Sequence, residues 1–441
     1  MTYENIKTTI LTILVLLSGI LTWNIWTYQP KYEIVPSEKT VEEVSIGMKK
    51  EIRKVVKPHQ VIYHIGGEQY GTIDNEHIDN MIATISKWKF FDVNKYPGRI
   101  ADFNEKLVSG SNTEIIFPDE VPIDLFKRVL NIDEKDLPKF DFDRIIIHAE
   151  TQEKQDGIIY FYSQQNQQIF ESNVNPTFIN QFAEKFYKRA GKLTPYFLYS
   201  LSDTKRIYLP AGETEMMKYT YYRIPLEMEQ FKEALFNDPS FVQRNIMADR
   251  EEYMDDYSKM TFDRTTKMIS YVNPIRYNDS VIGTSNVLQK SIEFINSHGG
   301  WTDAYRYVYK DDFNQKVRFR LYSKEGYPVF NSIGMSEIHQ QWTQSQISRY
   351  IRPGFQLELQ LKQDMETEKL PSGYEALKML EAKKNFKPEL LGNLMLGYYM
   401  REIPTDERLI SLEPGWFYLY NQEWRRLISE EEARNLGLEQ N

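Results

Sequence analysis

Apolar positions are arranged in two ways along this 441-residue chain. Near the N-terminus they are contiguous. Residues 8–28 (TTILTILVLLSGILTWNIWTY) are 21 positions without a charge. A helix of that length rises about 31 Å, close to the roughly 30 Å hydrocarbon core of a bilayer. Trp23, Trp26 and Tyr28 at its far end suit an interfacial aromatic belt, and Pro30 stops the helix. The run predicts an uncleaved signal anchor. It is too long for a signal-peptide h-region, and no A-x-A site follows it. Ile20 stands where Leu17-Ser18-Gly19 would need a cysteine to form a lipoprotein site. Lys7 and the α-amino group favour a cytoplasmic N-terminus, which puts the remaining chain outside the cytoplasm as a single-pass ectodomain.

Beyond residue 30 the apolar positions become periodic. Residues 31–57 alternate acidic and basic clusters and read as a stalk. Ile78, Met81, Ile82, Ile85 and Trp88 recur at helical spacing and predict a helix over 76–91. Further helices are expected at 122–130, 176–190 and 226–236. Residues 61–63, 144–148, 158–162, 196–201, 206–209 and 220–223 read as strands, and 262–272 as a hairpin. Two later stretches share an order of elements. One runs helix 285–296, then strands 305–309, 317–322 and 328–330. The other runs helix 373–382, then strands 394–401, 409–412 and 416–420. Such an order predicts a structural duplication. Residues 390–400 read as buried structure, being too short and too broken by Asn393 and two glycines to span a membrane. The expected class is α+β: a transmembrane helix (1–30), then antiparallel sheets with helices on one face, divided into domains at 31–191, 192–333 and 334–441.

Composition narrows the function. Glu4 and Lys7 cancel, so the formal charge of −9 belongs entirely to residues 31–441. An acidic ectodomain excludes a general nucleic-acid binder, whose partner needs a basic face. The chain has no cysteine, which removes disulfides, thiolate metal sites and a cysteine nucleophile.

No motif assigns catalytic, cofactor-binding or metal-ligating residues. The six histidines (His59, His64, His77, His148, His298, His339) make no zinc spacing. His148 ends an apolar strand and reads as a hydrogen-bonded core histidine. Asp255-Asp256 and Asp311-Asp312 are adjacent acids, and neighbours on a strand point to opposite faces. Gly66-Gly67 reads as a turn, without the Lys-Ser/Thr of a phosphate loop. A wall glycosidase would need two convergent carboxylates, and nothing singles out a pair. The expectation is a non-enzyme without cofactor.

The apolar helix carries a second pattern. Thr8, Thr12, Val15, Gly19, Thr22 and Trp26 lie at spacings of four and three and form one stripe of largely small or hydroxyl-bearing residues, suited to a partner helix. Directly after it, residues 21–30 (LTWNIWTYQP) resemble the anchor of the YycH (WalH) family of Gram-positive Firmicutes. Met260-Thr261-Phe262-Asp263 and residues 268–274 (MISYVNP) resemble that family's central region. Tyr374-Glu375-Ala376-Leu377 and Leu412-Glu413-Pro414-Gly415-Trp416 resemble the PepSY-like pattern shared with the YycI family. The resemblance implies a regulator of the sensor histidine kinase WalK (YycG), acting with a YycI-like partner through membrane and extracytoplasmic contacts to adjust cell-wall metabolism. The alternative is a tethered module that binds a wall component or peptide.

Overall fold

A computed structural model describes residues 3–27, 45–132, 134, 136–149, 157–202, 204–274, 286–343, 346–360 and 366–428, with the side chains of the first helix described at 11–23. The chain forms two compact units, Met1–Glu42 and Glu43–Asn441.

The first unit contains one helix, Tyr3–Thr27. Among its described side chains there is no polar face: Leu11, Ile13, Leu14, Val15, Leu16, Leu17, Ile20 and Leu21 point all around it, each 52–66 % exposed. Among the described residues no helix is long and apolar enough to cross a membrane.

The second unit is built on three large sheets. The first has ten strands, in the order Arg206–Pro210, Thr194–Ser200, Glu68–Thr72, Gln60–Ile65, Asn112–Pro122, Asp141–His148, Gly157–Ser163, Gln168–Val174, Lys89–Lys95 and Asn131–Ile132. Gly66 and Gly67, at φ +62° and +88°, make the expected turn between its first two strands in the chain, a conformation glycine adopts without penalty. The second sheet has eight strands: Gln243–Ile246, Arg250–Met254, Lys259–Asp263, Met268–Val272, Ile347–Pro353, Glu337–Trp342, Lys316–Leu321 and Tyr305–Asp311. The third runs Val329–Phe330, Leu391–Ile403, Asp406–Tyr420, Tyr219–Pro225 and Phe355–Gln360, with Glu423–Leu427 also paired to Asp406–Tyr420. Pairing is antiparallel except for two short parallel contacts, Lys89–Lys95 with Asn131–Ile132 and Val329–Phe330 with Leu391–Ile403.

Strand alternation decides where the helices of the first sheet go. Ile145, Ile147, Phe161 and Phe170 face one side, packed with Ile78, Met81 and Ile85 of helix Asn75–Ile85 and with Ile179 and Phe182 of helix Pro176–Lys185. Their neighbours Ile146, Tyr162 and Ile169 face the other side and cover Phe103 and Leu107 of helix Ile100–Ser109. The period-two pattern therefore buries both faces. Helices lie on both, which corrects the expectation of one.

Other boundaries also move. The first predicted helix ends at Ile85 because Phe90 is buried as part of strand Lys89–Lys95. The helix expected at 122–130 shrinks to Ile123–Phe126, with Pro122 still in the strand before it. The hairpin at 262–272 forms as Lys259–Asp263 against Met268–Val272. The stalk expectation lies outside the described residues for 31–44, and the part from Ser45 onward is docked. Ile46 and Met48 donate backbone hydrogen bonds to Gly299 and Trp301, and Val55 and Val56 are buried.

The strands expected at 409–412 and 416–420 are one strand, Asp406–Tyr420, running through Pro414. Tyr398 opposite Pro414 turns its N–H away, to Pro328 O at 2.9 Å, so the 398–414 pair is a non-hydrogen-bonded one. The missing N–H of Pro414 therefore faces the other edge. There pairing with Tyr219–Pro225 ends at Leu412 and pairing with Glu423–Leu427 begins at Trp416. A proline at that gap removes no ladder bond.

Candidate functional site

The three sheets converge on a cleft of about 760 Å³. Its acidic end is built by an irregularity in strand Asn112–Pro122. Ile116 pairs with Arg144 and Val121 with Phe142, so residues 117–120 stand opposite Asp143 alone. Pro118, which has no N–H, sits inside this bulge. A bulge re-aims the side chains it carries, and here the consecutive carboxylates Asp119 and Glu120 both line the cleft.

These carboxylates are poorly solvated. Asp119 Oδ2 accepts from the Lys310 N–H at 2.8 Å and from Tyr307 OH at 3.4 Å. Glu120 Oε1 accepts from Ser163 Oγ at 2.7 Å, while its buried Oε2 has no hydrogen-bond partner. Burial, with the nearby charge of Asp143, pushes the Glu120 carboxyl up to about 8. Burial pushes Asp119 up to about 6, and burial also raises Asp143. Burial alone would lower Lys310, but its ion pairs with Asp141, at 2.6 Å, and Asp312 raise it.

A buried network forms the adjoining wall of the cleft, with Arg144, Gln164 and Tyr208 among the lining residues. Glu114, fully buried, accepts from His64 Nε2 at 2.7 Å and from the Tyr208 hydroxyl through one oxygen, and from Arg144 Nη1 through the other. Arg144 also donates to Gln164 Oε1 and to the Arg206 carbonyl. Burial by itself would raise Glu114; the guanidinium and the His64 and Tyr208 hydrogen bonds outweigh it and hold the carboxyl well below the ordinary range. Such a network holds strands of the sheet in register.

On the helix, Thr12, Val15, Gly19 and Thr22 fall on one side, as their spacing requires. The Thr22 hydroxyl donates back to Ser18 O at 2.8 Å, the local bond that satisfies a hydroxyl on an apolar helix. A Cβ at Gly19 would meet nothing within 4 Å outside the helix backbone. Trp23 is 72 % exposed. Tyr28, and the side chains of Thr8 and Trp26, lie outside the described residues.

Comparison with known proteins places the chain. The model of the YycH protein N-terminal domain matches residues 4–190, and that of the YycH protein C-terminal domain matches residues 204–432. The chain belongs to the YycH family. A curated relative, the two-component system WalR/WalK regulatory protein YycH of Bacillus subtilis (strain 168), is 26 % identical over 434 residues, covering 94 % of each chain. The crystal structure of YycH from Bacillus subtilis superposes with a TM-score of 0.73 at 21 % identity, covering 88 % of this chain and 99 % of that one. The YycH domain models break between residues 190 and 204, while the first sheet continues through the hairpin 194–210.

In this YycH-family chain the two acid pairs singled out from sequence part ways: Asp311 and Asp312 both line the cleft, while Asp255 and Asp256 are not among its lining residues. Asp255 turns inward to cap the backbone N–H groups of Tyr257 and Ser258. Asp311 caps Asn314 in the same way. His148 ends its strand half-buried, hydrogen-bonded to Asn112 Oδ1 at 2.8 Å. Asp119 and Glu120 went unnoticed because alternation separates neighbours on a regular strand. The one local signal was Pro118 inside an otherwise strand-like run.

Proposed function

We propose that this protein is a non-enzymatic regulator of a WalK-type sensor histidine kinase. It is held in the cell membrane by its N-terminal helix, with the N-terminus in the cytoplasm and the body outside, and works with a YycI-like partner to adjust cell-wall metabolism. One observation carries the reading. The match to the family runs through both of its domains and covers 94 % of a relative named as a regulatory protein of the WalR/WalK system. A regulator of this kind acts by binding one conformational state of the kinase more tightly than another, since only differential affinity shifts an equilibrium.

The anchor is supported by the 21 charge-free residues from 8 to 28 and by the absence of a polar face among the helix's described side chains. The stripe of Thr8, Thr12, Val15, Gly19, Thr22 and Trp26 is the surface offered to a partner helix, with Trp23, Trp26 and Tyr28 at the interface. The segments 285–330 and 373–420 are read as PepSY-like units, which superposition on a YycI structure tests.

Two experiments decide. Replacing residues 8–28 with an unrelated spanning helix should change phosphorylation of the response regulator; unchanged output removes the helix-contact mechanism, and unchanged output on deleting the whole protein removes the regulatory reading. Because the chain has no cysteine, Asp256→Cys supplies a single thiol, which a membrane-impermeant maleimide should label in intact cells if the body is extracytoplasmic.

A further inference from the structure

We propose that the cleft binds a ligand carrying an ammonium or guanidinium group on a short, carbonyl-bearing chain, with Asp119 and Glu120 receiving the cation and Gln164 donating to the carbonyl. Nothing in the regulatory reading requires this, and the two stand or fall separately.

The case begins with what is already satisfied. Arg144 is paired with Glu114, and Lys310 with Asp141 and Asp312. Arg206 donates to Asn104 Oδ1 at 2.6 Å, and Arg320 to Glu337 Oε1 at 2.8 Å. Arg318 lies over the Tyr309 ring at 4.3 Å. Asp143 accepts from the Gln164 N–H at 2.8 Å and lies 3.6 Å from Arg144 Nε. Among the described residues, Asp119 and Glu120 are left without a cation within 4.0 Å.

Among the described residues, four buried polar atoms of the cleft lining have no hydrogen-bond partner; apart from His59 Nδ1 and from Arg144 Nε, which lies 3.6 Å from Asp143, two remain. One is Glu120 Oε2, on a side chain only 5 % exposed. The other is Gln164 Nε2, on a side chain 8 % exposed. The Gln164 amide cannot turn over, because its Oε1 is held by Arg144 Nη2. An orphaned acceptor and an orphaned donor each forfeit a hydrogen bond they could make to water in the unfolded chain, and a cation with a carbonyl close by satisfies both. The volume suits a small ligand, since binding pockets span roughly 300–1,000 Å³.

Several charges bear on this position. Asp119 lies beside Glu120, and Asp141, Asp143 and Arg144 face it from strand Asp141–His148. Lys310 and Asp312 approach from the hairpin of the second sheet, whose Tyr307 presents a neutral hydroxyl, and Ser163 of the first sheet presents another. Lys205, on the turn before Arg206–Pro210, is lowered by burial of its ammonium, against the raising charges of Asp119 and Asp143. With Glu120 raised to about 8, the free cleft holds a proton at neutral pH that an arriving cation displaces. Binding therefore strengthens as pH rises from 6 towards 9, with release of a proton. Lys205 competes with the ligand.

Calorimetry on the full-length protein in nanodiscs, titrated with Nα-acetyl-lysine methylamide and with its norleucine analogue, tests the site. The lysine compound should bind at least about tenfold more tightly than norleucine, which has the shape without the charge, and its binding heat should depend on buffer ionisation. Glu120→Gln should weaken it by about tenfold or more while its melting temperature stays at or above that of the parent, because the amide has no buried ionisation to suppress. Lys205→Met should tighten it. No binding of the lysine compound, equal binding of norleucine, or unaltered binding to Glu120→Gln each overturns the proposal. If Glu120→Gln does not fold, the two analogues and the proton release on the parent protein decide it alone.

Discussion

Tyr307, on the edge strand of the eight-stranded sheet, donates its hydroxyl to the backbone carbonyl of Glu120 at 2.7 Å, inside the bulge of the ten-stranded sheet. This bond crosses between two sheets that share no ladder, and both groups are shut off from water. Replacing Tyr307 by Phe keeps the ring and removes the bond. The expected cost is about 1–2 kcal/mol, the price of one buried hydrogen bond. Urea unfolding of the two proteins measures it, and a cost near zero would mean that the bulge does not depend on this clamp.

Arg144 and Glu114 are enclosed opposite charges, with side chains 3 % and 0 % exposed. Removing one partner leaves the other as a buried charge. Arg144→Met should therefore destabilise the protein by about 3–5 kcal/mol at neutral pH. The sign with pH follows from the depressed carboxyl. In the parent, Glu114 contributes stability above the unfolded carboxylate value of about 4.3, and loses it as pH falls below that and through the native value. In the variant, Glu114 loses its main source of depression and takes up a proton early. The gap between the two proteins should be widest at pH 7 and narrow towards pH 4. A gap that widens in acid would contradict the assignment.

Gly47 is required by a close approach. A Cβ there would collide with the Trp301 carbonyl oxygen and meet its carbon at 2.5 Å, backbone atoms that cannot swing aside. Gly47→Ala should undock residues 45–50 from the loop at 299–301 without unfolding the sheets behind them. Limited proteolysis reads this directly: cleavage within 45–57 should speed up severalfold, while the fragment carrying the three sheets survives.

Gly19 tests the helix stripe. Leucine in its place keeps the helix apolar, so insertion is unaffected, but it fills the shallow side that a partner helix would use. Co-purification of Gly19→Leu with the YycI-like and WalK-like proteins should drop by about half or more, at equal membrane abundance, if close helix packing supports the association. Equal recovery would return the stripe to a helix whose hydroxyls serve only themselves, as Thr22 does towards Ser18.

Much of the local structure was open to reading along the chain. Ile78, Met81, Ile82 and Ile85 share the buried face of one helix as their spacing implies, and the 259–272 hairpin forms where alternation puts it. The errors have physical causes. Pro414 looked like a break, but a proline interrupts a strand only where its N–H is needed, and here the edge beside it is empty. The strand at 144–148 was read without its faces, and Ile146 turns out to face the helix layer opposite to that of Ile145. A continuous apolar run carries no mark of which partner lies on which side.

The sequence by itself determined the features that depend on neighbours in the chain: the charge-free N-terminal run, the helical and alternating periods, the glycine turn at 66–67, and the residues that carry the family resemblance. The tertiary structure decided the cleft. Its parts come from positions as distant as Asp119, Gln164, Lys205 and Lys310, and two adjacent acids share it only because the ladder skips from Ile116 to Val121. Burial does the rest. The same carboxylate is an ordinary charge on a surface and a reluctant one in an enclosed wall, and enclosure is a property of the packed sheets that no short window of sequence contains.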